Sequence, residues 1–142
     1  MNVMIRKAQL HDVPDIFIMN NELNGAGWST VESMKQSLRK NQNELIFVAV
    51  YNDKAIGFIC GQLYSSICYA GSYQCEITEL FVSKEYRRKG VAAMLVHHLE
   101  LEFTQNNVCE IIVKTGRNNF NAQKLYEKCG YIYKRMAYLK EV

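Results

Sequence analysis

Glu76-Ile77-Thr78-Glu79-Leu80-Phe81-Val82, followed four residues on by Arg87-Arg88-Lys89-Gly90-Val91-Ala92, reads as a strand, a cationic turn and the start of a helix. The helix is set by the three-four spacing of Ala92, Leu95, Val96, Leu99 and Phe103, which gives it one apolar face. At its start the first backbone N–H groups have no intrahelical acceptor, and the dipole adds a partial positive charge. Three cations gathered there against that dipole point to an anionic ligand, and a pyrophosphate suits the site. Gly90 lets the backbone approach phosphate oxygens, and Ala92 keeps the surface low. The turn matches neither Walker A, which closes on Gly-Lys-Ser/Thr, nor the three-glycine dinucleotide fingerprint.

The rest of the chain decides what surrounds this turn. Its 142 residues suit one domain, residues 1–142, with no staple needed. A net charge of +3 is largely the Arg87–Lys89 cluster, so a local anion site is better supported than nucleic-acid binding. Cys60, Cys68, Cys75, Cys109 and Cys129 are odd in number and lack C-x-x-C spacing, which speaks against a disulfide framework and against a zinc site, so no metal is expected. Without an apolar targeting core or a run of membrane-spanning length, a cytoplasmic protein with no membrane partner is expected.

In order, Met4 to Gln9 reads as a strand, and Asp12 as the cap of a helix with Pro14 in its first turn and Val13, Ile16 and Phe17 on one face. A loop from Asn24 to Trp28 leads to a second helix, capped by Ser29 or Thr30, with Val31, Met34 and Leu38 apolar. Glu44 to Tyr51 and Ala55 to Tyr64 form a hairpin about Asn52-Asp53-Lys54. Gln74 to Val82 is the fourth strand and Glu110 to Lys114 another. A helix from about Asn119 to Lys128 stops at Cys129-Gly130, and a last strand runs from Tyr131 to about Leu139. The order is that of an α+β fold.

Two segments together resemble the GNAT superfamily of N-acetyltransferases. Arg87-Arg88-Lys89-Gly90-Val91-Ala92 is similar to its Gln/Arg-x-x-Gly-x-Gly/Ala acetyl-CoA signature, and Asn119 to Tyr131 resembles its Asn-x-x-Ala-x-x-Leu-Tyr-Glu-Lys-x-Gly-Phe segment, with Tyr131 in place of Phe. The resemblance implies a mixed, mostly antiparallel central sheet flanked by helices, strands four and five splayed. It implies acetyl-CoA as cosubstrate and direct attack of a primary amine on its thioester. The amine could belong to a small molecule such as an aminoglycoside or polyamine, or to a protein. A non-catalytic acyl-CoA-binding regulator is the alternative. Small domains of this family are often dimers, and a homodimer stays open here.

By the same resemblance the pyrophosphate rests on amides of Arg88, Lys89, Gly90, Val91 and Ala92, with the Arg87 side chain nearby. The pantetheine arm enters the splay and pairs with the backbone of Leu80, Phe81 and Val82, and a backbone N–H there, that of Leu80, stabilises the oxyanion. Asn119 and Asn121 are in place to bond the arm, although each also suits a helix cap. The proton acceptor is Glu76 or Glu79: Glu76, the preferred one, lies eleven positions before Arg87, where several family members carry a glutamate base, and Glu79 lies where others carry an acidic residue facing the acceptor. Strand alternation puts the two carboxylates on opposite faces unless a bulge intervenes. Tyr126 occupies the family's tyrosine position and is expected to protonate the departing thiolate; its helical spacing with Ala122, Leu125 and Cys129 also suits a core aromatic. Acceptor specificity is expected from Asn20 to Thr30 and Ser65 to Tyr73, with Glu22, Trp28, Tyr64, Tyr69 and Tyr73 at the cleft.

Overall fold

A computed structural model describes residues 1–142, and its five strands lie in the order in which they occur along the chain: β1 (Met4–Lys7), β2 (Glu44–Tyr51), β3 (Lys54–Tyr64), β4 (Tyr73–Val82) and β5 (Val108–Val113). The first four pair antiparallel, while β5 runs parallel to β4 because a helix crosses over between them. That helix, α3 (Val91–Thr104), packs with α4 (Phe120–Lys128) on one face of the sheet; α1 (Val13–Asn24) and α2 (Val31–Lys40) cover the other. The strands and helices expected between Met4 and Lys128 are therefore present, with ends shifted by one to two residues. No helix is long and apolar enough to cross a membrane.

Local chemistry explains most boundaries. The tight link between β2 and β3 has Asn52 at φ 49° and Asp53 at φ 62°, the left-handed pair that a two-residue hairpin turn requires and that Asn and Asp tolerate best. Thr30, one of the two proposed caps, starts α2: its hydroxyl accepts from the Ser33 N–H at 3.0 Å and Ser33 Oγ accepts from the Thr30 N–H at 2.8 Å. Gly61 of β3 is required by packing, since a Cβ there would sit 2.6 Å from Phe103 Cζ and 3.1 Å from a Leu99 methyl. Phe103, Leu99 and Leu95 are thereby seated on the sheet and are almost fully buried.

Two expectations are corrected. Asp12 does not cap α1 through its side chain. Its carboxylate instead accepts from Arg6 at 2.7 and 2.9 Å and from the Gln9 N–H at 2.7 Å, closing a short 3-10 turn, Leu10–Asp12, that ends β1 early. Burial opposes that charge, but the Arg6 hydrogen bonds and the Gln9 N–H outweigh it, and the carboxyl is held below its ordinary range. The last strand is also absent. Tyr131 to Leu139 joins no ladder, and its main ties are single ones: the Tyr131 hydroxyl donates to Glu100 at 2.9 Å and Arg135 donates to Glu110 at 2.7 Å. Aromatic and apolar composition favours a strand only where a neighbour supplies the ladder, and this segment leaves Ile132, Tyr133, Tyr138 and Leu139 at the surface.

Candidate functional site

The anion turn keeps the shape its sequence suggests. After the 3-10 turn Lys84–Tyr86, Arg88 (φ 60°) and Gly90 (φ 81°) are both left-handed, and Gly90 is the residue immediately before α3. Beyond them α3 begins, and the N–H groups of Val91, Ala92 and Ala93 have no intrahelical acceptor. Nothing lies within 4 Å of where a Gly90 Cβ would be, so the concavity faces open space, and Arg88 and Lys89 are exposed beside it. This donor set fits a diphosphate. Arg87 behaves differently from its neighbours: its Nε donates to the Val82 carbonyl at 2.7 Å and its guanidinium lies 5.2 Å from the Phe81 ring centroid. It ties the turn to the end of β4.

Between β4 and β5 the sheet opens. Their pairing covers Tyr73 to Ile77 against Val108 to Val113, after which β5 ends and β4 continues to Val82 with no partner on that side. The opening is a cleft of about 310 Å³. Thr78, Glu79 and Leu80 of β4 form one wall, Lys114 to Gly116 another, and Asn119, Ala122 and Tyr126 of α4 its base. Tyr126 is 7% exposed, its ring edge-on to Tyr131 at 5.7 Å. Burial, with the Cys129 thiol adding to it, pushes the Tyr126 hydroxyl up to about 12. Asn119 lines the cleft while its side-chain oxygen accepts from the Ala122 N–H at 3.2 Å, so it also caps α4.

A bulge decides where the two glutamates point. On β3, Cys60 pairs with Glu79 and the next residue, Gly61, with Ile77, which leaves Thr78 as the extra residue of β4. Cys75, Ile77, Leu80 and Val82 consequently pack with the α3 face, while Phe81 packs with Ile16, Met19 and Phe58 on the α1 face. Glu76 and Glu79 thus share the α1 side, as the bulge condition allows. They differ in surroundings: Lys114 Nζ lies 3.3 Å from Glu76, whereas Glu79 borders the cleft.

Glu79 also borders a second cavity, of about 190 Å³, between α1, α2 and the sheet. Its polar end gathers Glu44, Cys60 and Glu79 from three adjacent strands, their side-chain ligand atoms within 4.8 Å of one another. Burial first, and then the Glu79 charge, pushes the Glu44 carboxyl above its ordinary value against a hydrogen bond from Gln62.

The structure therefore brings Glu79, Leu80, Asn119 and Tyr126 together, with the Arg88–Ala92 turn beyond the end of β4. Other expected residues fall outside. The side chains of Phe81 and Val82 are core, Asn121 is exposed on α4 and lines neither space, and Trp28, Tyr64, Tyr69 and Tyr73 sit at the surface outside both. Leu23 and Asn24, within the expected Asn20 to Thr30 segment, do line the cleft, whereas Lys114 to Gly116 and Glu44 were missed. The loop after a short strand was a readable signal for Lys114 to Gly116; nothing local marked Glu44.

Comparison with known proteins gives a consistent result. Residues 13–131 match the model of the acetyltransferase (GNAT) family. N-alpha-acetyltransferase 30 of Xenopus laevis is 28% identical over 93 residues, 65% of this chain; the match spans about a third of the length of that relative, 33%. An uncharacterized N-acetyltransferase of Chlorobaculum tepidum is 27% identical over 146 aligned positions, covering 94% of this chain and 89% of the relative. Among solved structures, AAC(6')-Iy in complex with the bisubstrate analog CoA-S-monomethyl-acetylneamine has the same fold, with a TM-score of 0.85 at 18% identity over 100% of this chain and 99% of that one.

Proposed function

Because the chain belongs to the acetyltransferase (GNAT) family, we propose that residues 1–142 act as one domain that moves an acetyl group from acetyl-CoA to a primary amine by direct attack. The observation that carries this reading is the parting of β4 from β5 beside a diphosphate-shaped turn, with a carboxylate and a tyrosine on the walls of the gap. Acetyl-CoA supplies the thioester; the remaining tasks fall to this chain.

The N–H groups from Arg88 to Ala92 hold the diphosphate, and the side chains of Arg88 and Lys89 add charge. Arg87 acts by fixing that turn to β4. The unpaired edge of β4 at Leu80 to Val82 accepts the pantetheine arm as an added strand, and the Leu80 N–H faces the oxygen that gains charge on attack. Of these residues Leu80 and Val82 turn their backbone groups to the open edge, whereas those of Phe81 face β3. Asn119 contributes the outer face of its amide, and Asn121 has no part.

Glu79 is the base. It lines both the gap and the cavity on the α1 side, whereas Glu76 is engaged by Lys114. The acceptor ammonium gives one proton to Glu79, the free nitrogen attacks the carbonyl carbon, and the C–S bond breaks as the C–N bond forms. The second nitrogen proton passes to the departing sulfur, so that CoA leaves as its thiol, and the Tyr126 hydroxyl hydrogen-bonds that sulfur as it gains charge. With wild-type protein, acetyl-CoA and a panel of primary amines, thiol release in proportion to acetylated amine is expected. CoA binding without release for any amine would instead establish an acyl-CoA-binding regulator.

A further inference from the structure

The cavity between α1, α2 and the sheet has walls of one kind and an end of another. Ile16, Met34, Leu38, Ile46 and Phe58 make most of it apolar. At the end are Glu44 and Glu79, and no lysine, arginine or histidine nitrogen comes within 4 Å of either. Between them Cys60, only 8% exposed, presents a thiol in a setting where burial raises it well above its ordinary range. Two adjacent carboxylates without a cation repel each other in a partly desolvated place, and a bound ammonium relieves that repulsion.

Position gives this end its meaning. Glu79 is the only residue shared by the cavity and the cleft between β4 and β5, so a cation held there is next to the proposed thioester. Size and lining limit what can follow the cation inward. The cavity, about 190 Å³, is below the roughly 300–1,000 Å³ of pockets that take drug-sized ligands. Apart from the carboxylates, Asn20 and Ser37 offer the main polar side chains, too few for a sugar's hydroxyls. A second ammonium would face Ile16 and Phe58 without a partner, which is costly.

Resting on the acetyltransferase reading above, we propose that this cavity is the acceptor site, and that the acceptor is a primary amine carrying one positive charge beside a compact apolar group. The ammonium lies at Glu44 and Glu79; the apolar group, of the size of a branched alkyl chain or one aromatic ring, lies between α1 and α2. Polyamines and aminoglycosides are disfavoured.

The test uses the full chain with acetyl-CoA and compares 2-phenylethylamine and isoamylamine with spermidine and neamine by thiol release, alongside calorimetric titration of CoA. Expected is a kcat/KM for the apolar amines about 100-fold above that for spermidine or neamine. Glu44→Gln should lower kcat/KM for 2-phenylethylamine about tenfold, chiefly through KM, by removing one half of the ammonium site. Ser37→Trp, a change at an exposed position on the cavity rim, should do the same by obstruction, and both variants should bind CoA as wild type does. Faster turnover of spermidine or neamine, no turnover of either apolar amine, or variants indistinguishable from wild type would overturn the acceptor assignment while CoA binding stands. Failure of wild type to bind CoA would overturn the acetyltransferase reading beneath it.

Discussion

Tyr126→Phe removes one oxygen from the cleft and leaves the ring where it packs. The hydroxyl is pushed up to about 12 by burial, whereas an ordinary thiol ionises near 8.5. Full transfer of its proton to a thiolate is therefore uphill by about 3.5 pKa units, or roughly 5 kcal/mol at 1.36 kcal/mol per unit. The tyrosine then works as a hydrogen-bond donor to sulfur that is gaining charge, and it stays protonated itself. A hydrogen bond to a charged group contributes about 1.5–3 kcal/mol, which predicts a fall in kcat of about 10- to 150-fold. Thiol release at saturating acetyl-CoA and amine measures it, with CoA affinity by titration as the control. Wild-type kcat should show no loss between about pH 8 and pH 10 from this residue, since ionisation lies above that range. An unchanged kcat in the variant would make Tyr126 a core aromatic only. An equal loss in CoA affinity would assign its effect to cleft shape.

Three further outcomes are expected. Glu79→Gln should reduce kcat/KM by about 10²–10⁴ while Glu76→Gln costs less than about tenfold, because only Glu79 borders both spaces; equal losses in thiol release would contradict the assignment. Gly61→Ala places a methyl 2.6 Å from the buried Phe103 ring and should destabilise the fold by about 1–3 kcal/mol in urea titration, a result that an unaltered midpoint would refute. Glu44 has a folded pKa raised above its unfolded value, so the stability it contributes is present below about pH 4 and is lost as pH rises through the folded pKa. Glu44→Gln should accordingly raise the melting temperature at pH 7 and leave it near wild type at about pH 4; a lower melting temperature at neutral pH would contradict the sign.

How far the sequence carries depends on whether a signal is local. The β4–turn–α3 unit is legible because a period of two gives way to one of 3.6 across a glycine, and each step is written in neighbouring residues. The hairpin at Asn52-Asp53 and the cap at Thr30 are legible for the same reason. The bulge at Thr78 is not, since it is a mismatch of register between β3 and β4, and it alone decides that Glu76 and Glu79 share a face. Glu44 illustrates the same limit. It joins Glu79 only because β2, β3 and β4 lie side by side, and no spacing along the chain records that. Asp12 has the right identity and place for a helix cap, yet Arg6, six residues back on β1 and outside the capping pattern, draws it into another task. Tyr131 to Leu139 has the composition of a strand but lacks the neighbouring ladder that would make it one.

Acyl transfer by this chain requires that the gap between β4 and β5 receive the coenzyme's arm while the turn before α3 holds its diphosphate. Amide hydrogen exchange with and without CoA tests both together. Slowed exchange is predicted at Thr78 to Val82 and at Arg88 to Ala93, with the distant β1–β2 edge unchanged. Protection confined to other segments, or CoA binding that leaves both of these unaltered, would contradict it.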